Sequence, residues 1–296
     1  MSVKLHGLSA FPITPSDGER IDTAALQTLV GRLVSAGVDS IGLLGSTGSY
    51  PYFDRAERRR ATEAAIACAG GRVPVLVGVG ALRTNEAVAL AADARQAGAA
   101  AGLLAPVSYV PLLDDEVFEH FRAVAATGLP LCIYNNPTTT HFAFSPALIG
   151  RLAAIPGVIA VKNPAPPAPE CAAAVAALRC VVPSGFSVGF SVDMHAGAAL
   201  LAGANAWYSV LGGTYPVTCL RLTRAAQAGE MAEVARIDAL LQPVWSLFRA
   251  HTSFRVIHLA AALSGVSNAQ PVRPVLPLSG DAAREVTRVL ESLSLD

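Results

Sequence analysis

Lysine is almost missing from this chain. Of its 22 basic residues only Lys4 and Lys162 are lysines, and arginine supplies the rest. Charge of either sign is sparse, at 15% of residues, and 22 acidic side chains balance the basic ones to a formal net charge of zero. The two signs are interspersed, which argues against a nucleic-acid surface, since that needs a clustered basic face. No apolar run reaches the roughly 18–20 residues of a membrane span, because glycine, proline or a charged residue interrupts each one. The five cysteines (Cys68, Cys132, Cys171, Cys180 and Cys219) are scattered, with no CxxC pair and an odd total. They read as free thiols in a reducing compartment, neither a disulfide frame nor a zinc site. The segment Met1–Gly7 lacks the basic-then-apolar layout of a secretion signal, so the expected location is the cytoplasm.

What is abundant is apolar. Hydrophobic residues make up 52% of the chain, enough for a large core, and 296 residues suit an α/β barrel of about 250 residues with additions. Short apolar runs alternate with longer Ala-rich segments as far as residue 228. The candidate strands are Leu8–Thr14, Ser40–Gly45, Val73–Gly80, Ala101–Pro106, Pro130–Asn135, Val158–Lys162, Cys180–Ser184 and Ala206–Leu211. Each is continuously apolar, as expected for a parallel strand covered on both faces. Helix starts are signalled at Asp22, Asp54, Thr84 and Ser145-Pro146, and stops at Gly37, Gly98, Gly128 and Gly203. Eight such units without a composition break predict an α/β fold of the (β/α)8 TIM-barrel type over 1–228. Residues 229–296 predict a C-terminal helical extension, with helices over Met231–His251, Ser253–Leu263 and Asp281–Leu293. It is too small for a core of its own and belongs to the same structural unit.

In such barrels the chemistry sits at the C-terminal ends of the strands. Strand two ends there in Gly45-Ser46-Thr47-Gly48-Ser49, strand five in Tyr134-Asn135-Asn136-Pro137, and strand six in Lys162-Asn163-Pro164. Lysine is kept at 162 behind the apolar Val158, Ile159, Ala160 and Val161, where surface charge gives no reason for it. Burial disfavours the cationic form of an amine, and a neutral amine can attack a ketone to form an imine, an electron sink for making or breaking C–C bonds. Tyr134, one strand away, could shuttle protons. The Gly-Ser-Thr-Gly turn offers amides and hydroxyls to a small carboxylate. Plainer readings exist for each: a strand-end lysine that snorkels, a core tyrosine, a turn that only shapes the chain. Gly212-Gly213 after strand eight could bind phosphate or let the chain pass close to the imine.

The order of these pieces, with Phe11-Pro12-Ile13-Thr14-Pro15 near the start, resembles the dihydrodipicolinate synthase / N-acetylneuraminate lyase family of pyruvate-dependent class I aldolases over nearly the whole chain. The resemblance implies that Lys162 is the Schiff-base lysine and Tyr134 the proton-relay tyrosine. It makes Ser46 and Thr47 the hydroxyl residues that hold the pyruvate carboxylate and complete the relay, beside Gly48. It further implies a homo-oligomer, a tetramer or dimer, with no metal or organic cofactor. A neighbouring subunit would contribute a second tyrosine from the loop after strand four.

This chain departs from the pattern in several places. Ser49 replaces the acidic residue after the turn. The second tyrosine falls on Ser108, with Tyr109 one step late. The arginine that binds an aldehyde partner's carboxylate would lie near Thr139, and Thr138-Thr139-Thr140-His141 holds none. Gly185, just after the seventh candidate strand, joins Ser108, Tyr109 and Thr139 among the expected substrate contacts, and Phe186-Ser187 stands where the family often has polar or acidic residues. These differences point away from lysine biosynthesis, toward a less anionic second substrate. The expected activity is a lyase that joins or cleaves C–C bonds between a 2-oxo acid and an aldehyde or sugar acid, through an imine on Lys162. Two alternatives stay open: a dehydratase of 2-oxo-3-deoxy sugar acids using the same lysine, and a catalytically silent barrel that binds a metabolite.

Overall fold

The apolar runs that alternate along the chain close into one ring. The structure, a computed structural model, describes residues 4–293 and 295. Residues 1–3, 294 and 296, which begin the Met1–Gly7 segment and end the expected extension, lie outside the described residues. Eight strands occur among those described: β1 Gly7–Ala10, β2 Ser40–Leu43, β3 Val75–Gly78, β4 Ala101–Leu104, β5 Leu131–Tyr134, β6 Val158–Pro164, β7 Ser187–Ser191 and β8 Ala206–Ser209. All neighbours are parallel, and β8 pairs with β1 to close the barrel in chain order. The helices are α1 Thr23–Ala36, α2 Arg55–Ala69, α3 Thr84–Ala97, α4 Asp114–Ala125, the single turn α5 Pro137–Thr140, α6 Pro146–Ala153, α7 Cys171–Arg179, α8 Ala196–Leu201 and α9 Pro216–Gln227. After them come α10 Met231–His251, α11 Ser253–Leu263 and α12 Gly280–Ser292.

Local chemistry sets the helix ends. Asp22 accepts a hydrogen bond from the Ala25 amide, Asp54 from Glu57 and Ser145 from Leu148, each satisfying a donor that the first helical turn leaves over. Gly37 ends α1 at φ 77°, a left-handed cap that a side chain would strain. Thr84 is the first residue of α3 and not its cap; its hydroxyl pairs with His120 instead.

The core has two layers. One lies inside the barrel and includes Phe11, Leu76, Leu103, Cys132, Tyr134 and Tyr208; the other fills the space between strands and helices. Small residues inside the barrel are complements of large ones. A Cβ on Gly189 would lie 2.5 Å from the Tyr208 ring, and one on Gly42 would lie 2.2 Å from the Phe11 ring. Gly213 lets the chain after β8 pass against β1, where a Cβ would meet the Phe11 carbonyl oxygen at 2.3 Å. That contact lies at the barrel seam, so the bare position serves chain packing.

The seventh strand differs from expectation. Cys180 caps α7, and Val181–Gly185 form the connection to β7, which starts at Ser187. Pro183 has no N–H to give a ladder, whereas Ser187–Ser191 pairs with β6 and β8. Its serines and glycine break the apolar run that signals a strand elsewhere. Of the tail, α10 packs on α8, α9 and the turn Asp193–His195, and α11 and α12 pack with it. Among the described residues no helix is long and apolar enough to cross a membrane.

Candidate active site

Strand register brings the two central residues together. Lys162 and Tyr134 are direct partners across β5 and β6, so their side chains enter the barrel side by side at the same height. Lys162 is buried. Its Nζ lies among ring faces, 3.8 Å from the Phe11 centroid, 4.4 Å from Tyr134 and 5.9 Å from Tyr208. On its other side β7 offers Gly189, which has no side chain to crowd it.

The Tyr134 hydroxyl stands 3.1 Å from Ser46 Oγ across the barrel, and the Asn136 side-chain amide donates to both, at 3.0 and 3.3 Å. Since Asn136 only donates here, either hydroxyl can give its proton to the other. The one left over then has a hydrogen to present elsewhere. Such a triangle can pass a proton in either direction. Beside it Asn135 ties the mouth ends of β5 and β6 together, its side-chain amide donating to Asn163 Oδ1 at 2.6 Å.

Ser46 is half-buried and Thr47 and Gly48 are buried in the turn after β2. The turn is tight: Leu44 and Ser49 have φ of 52° and 57°, in the left-handed region, and a Cβ on Gly48 would lie 2.8 Å from Thr14 Oγ1. The Ser49 amide bonds Ser46 O and the Tyr50 amide bonds Gly45 O. Among the described residues the amides of Thr47 and Gly48 donate to no protein acceptor. Two free amides with adjacent hydroxyls make a nest for a small anion. Ser49, where an acidic residue was expected by resemblance, is buried behind it.

At the end of β7, Val192 takes φ 68°, strained for a β-branched residue, and turns Asp193 inward. The buried Asp193 carboxylate accepts from Trp207 Nε1 at 2.9 Å, the Leu211 amide at 2.7 Å and the Val210 amide at 3.2 Å. Burial pushes its carboxyl above the usual range, against the opposing pull of those donors and of Lys162. It ties the mouth ends of β7 and β8 together. Below Lys162, burial pushes the Cys132 thiol up to about 12, and its Sγ lies 3.6 Å from the Tyr208 hydroxyl.

The structure thus unites Lys162, Tyr134, Ser46, Thr47 and Gly48 at one end of the barrel. Gly185 is a correction: it lies before β7, at the opposite end, because the strand begins at Ser187, seven residues later than the apolar pattern suggests. Tyr134 is bonded to Ser46 and not to Thr47. Thr139 is exposed on α5 with its hydroxyl on the Asn136 carbonyl, and His141 is exposed beside it. Ser108 Oγ accepts the Val110 amide in its own loop, while Tyr109 is 96% exposed. Sequence reasoning missed Asn136, whose only signal was its place beside Tyr134. It also missed Phe11 and Tyr208, which reach Lys162 from strands remote in sequence. Among the described residues no group of three His, Cys, Asp or Glu side chains is placed to hold a metal ion.

Comparison with known proteins agrees with this geometry. The profile of the dihydrodipicolinate synthetase family matches residues 4–293. A 4-hydroxy-tetrahydrodipicolinate synthase of Rhodospirillum centenum is 31% identical over 279 residues, covering 93% of this chain and 94% of that one. The corresponding Thiobacillus denitrificans enzyme is 32% identical, covering 93% and 92%. The crystal structure of dihydrodipicolinate synthase from Agrobacterium tumefaciens superposes with a TM-score of 0.96 at 51% identity, covering 98% of both chains.

Proposed function

The chain belongs to the dihydrodipicolinate synthetase family, and from that premise we propose that Lys162 forms a Schiff base with pyruvate or a similar 2-oxo acid and that the protein is a class I lyase. The observation that carries this reading is the register pairing of Lys162 with Tyr134, whose hydroxyl is already linked to Ser46. Nζ adds to the C2 carbonyl, and the oxygen leaves as water once protonated, giving the imine. A proton removed from C3 turns the imine into an enamine, which bonds to the aldehyde carbon of the second substrate. Water then adds back to C2, releasing product and amine. Tyr134 and Ser46 carry the protons of these steps through the hydroxyl pair. The free amides of Thr47 and Gly48, with the Thr47 hydroxyl, hold the carboxylate.

The second substrate is an aldehyde less anionic than the carboxylate-bearing partner that the family's arginine binds, because the Thr138–His141 stretch supplies no arginine to the mouth. Tyr109, Val110 and Leu113 are exposed at 96, 60 and 69% on the loop after β4. In our reading that loop meets a second copy of the chain, and Tyr109 there takes the part of the neighbouring-subunit tyrosine.

Borohydride reduction in the presence of pyruvate tests the imine. Peptide mass spectrometry is expected to find a reduced pyruvyl adduct on Lys162, absent from Lys162→Ala. If folded protein acquires no adduct from pyruvate or larger 2-oxo acids, the lyase reading is wrong and a binding barrel replaces it.

A further inference from the structure

Among the rings around the Lys162 nitrogen, Phe11 is the closest, its centroid 3.8 Å from Nζ. The chain is built around that ring. A Cβ would lie 2.2 Å from it at Gly42 and 2.7 Å at Gly45, so both positions are bare where β2 runs into its turn. Phe11 is 1% exposed, and Tyr208 meets it at 77° with centroids 6.0 Å apart. The ring is therefore wedged between the amine, the base of the Ser46–Gly48 turn and a second ring, with no free space to swing into.

The carbon that bonds to Nζ carries a carboxylate on one side and C3 on the other. Because the Phe11 ring is the nearest to Nζ, a group carried by that carbon has the ring face among its neighbours. We propose that Phe11 is a specificity-determining residue that restricts the 2-oxo acid to pyruvate's length by filling the space a longer C3 chain would need. This rests on the imine chemistry proposed above. The glycines at 42 and 45 are its counterpart, since either side chain there would displace the ring toward Nζ.

The test compares borohydride labelling of Lys162 by pyruvate and by 2-oxobutanoate in the wild type, Phe11→Leu and Phe11→Ala, with circular dichroism to establish folding. One methylene in an apolar pocket is worth a factor of about ten or more. The wild type is expected to favour pyruvate. The ratio of 2-oxobutanoate to pyruvate labelling should rise about tenfold in Phe11→Ala and by less in Phe11→Leu. A wild type that labels equally with both acids overturns the proposal, as does a ratio unchanged in folded variants that still label with pyruvate. Folded variants that label with neither acid also overturn it, because Phe11 would then be required for the imine itself. If the wild type labels with neither, the failure belongs to the lyase reading and not to the assignment of Phe11. Should Phe11→Ala not fold, the leucine variant alone decides.

Discussion

At the residue scale, the Tyr134 hydroxyl does a different job from the Tyr134 ring. The ring lies 4.4 Å from Nζ and helps fill the barrel, whereas the hydroxyl reaches Ser46 and Asn136. Tyr134→Phe keeps the first and removes the second. Turnover should fall by roughly 10²–10⁴-fold, the usual worth of a positioned proton carrier, with thermal stability little changed. Ser46→Ala leaves the Tyr134 hydroxyl on Asn136 and should cost about tenfold, since solvent can take the place of one link in a proton path. Initial rates read both; equal rates in wild type and Tyr134→Phe would remove tyrosine from the mechanism. Lys162, Tyr134 and the Ser46–Gly48 turn were legible in the sequence because each stands at the end of an apolar run, where barrel chemistry gathers. Phe11 and Tyr208 were not. Their closeness to Nζ depends on reaching across the barrel from β1 and β8, a distance that no local pattern encodes.

At the scale of elements, charge binds α2 to α3. Arg55 grips Asp93 through two bonds of 2.5 and 2.8 Å, and Arg59 adds a third contact at 3.4 Å. The Arg55 guanidinium holds the Asp93 carboxyl below its usual range. A carboxyl depressed by folding stabilises the protein above its unfolded value and loses that contribution as pH falls through the folded one. Asp93→Asn should therefore cost about 1 kcal/mol at pH 7, since the arginines are largely exposed. The difference from wild type should shrink as pH drops below about 4, where the wild-type carboxylate also takes up its proton. Urea titrations at the two pH values check it; a cost independent of pH would mean packing and not charge. Most elements could be read from caps and apolar runs, and the tail helices fall where expected. The seventh strand escaped because its inward positions are filled from elsewhere. Gly189 yields to Tyr208, and the Ser187 hydroxyl binds the Leu5 carbonyl. A strand completed by its neighbours' side chains carries little apolar signal of its own.

For the whole molecule, the loop after β4 matters most. A tyrosine 96% exposed, with Val110 and Leu113 beside it, is apolar area that a lone chain leaves in water. Sedimentation at micromolar concentration should find dimers or larger, and Leu113→Arg should shift the distribution toward monomers while lowering activity. A wild type that sediments as a monomer with full activity would leave Tyr109 without a role. Closure of the barrel and the place of its mouth were legible from the count and order of strands, whereas the outer surface offered few patterns to read. The scarcity of lysine has one more effect at this scale. Reagents that acylate, crosslink or glycate amines decorate most proteins at dozens of places. Here the side-chain amines are the exposed Lys4 and the buried Lys162. With positive charge carried almost wholly by guanidinium groups, the chain offers few side-chain amines with which a 2-oxo acid or an aldehyde can condense.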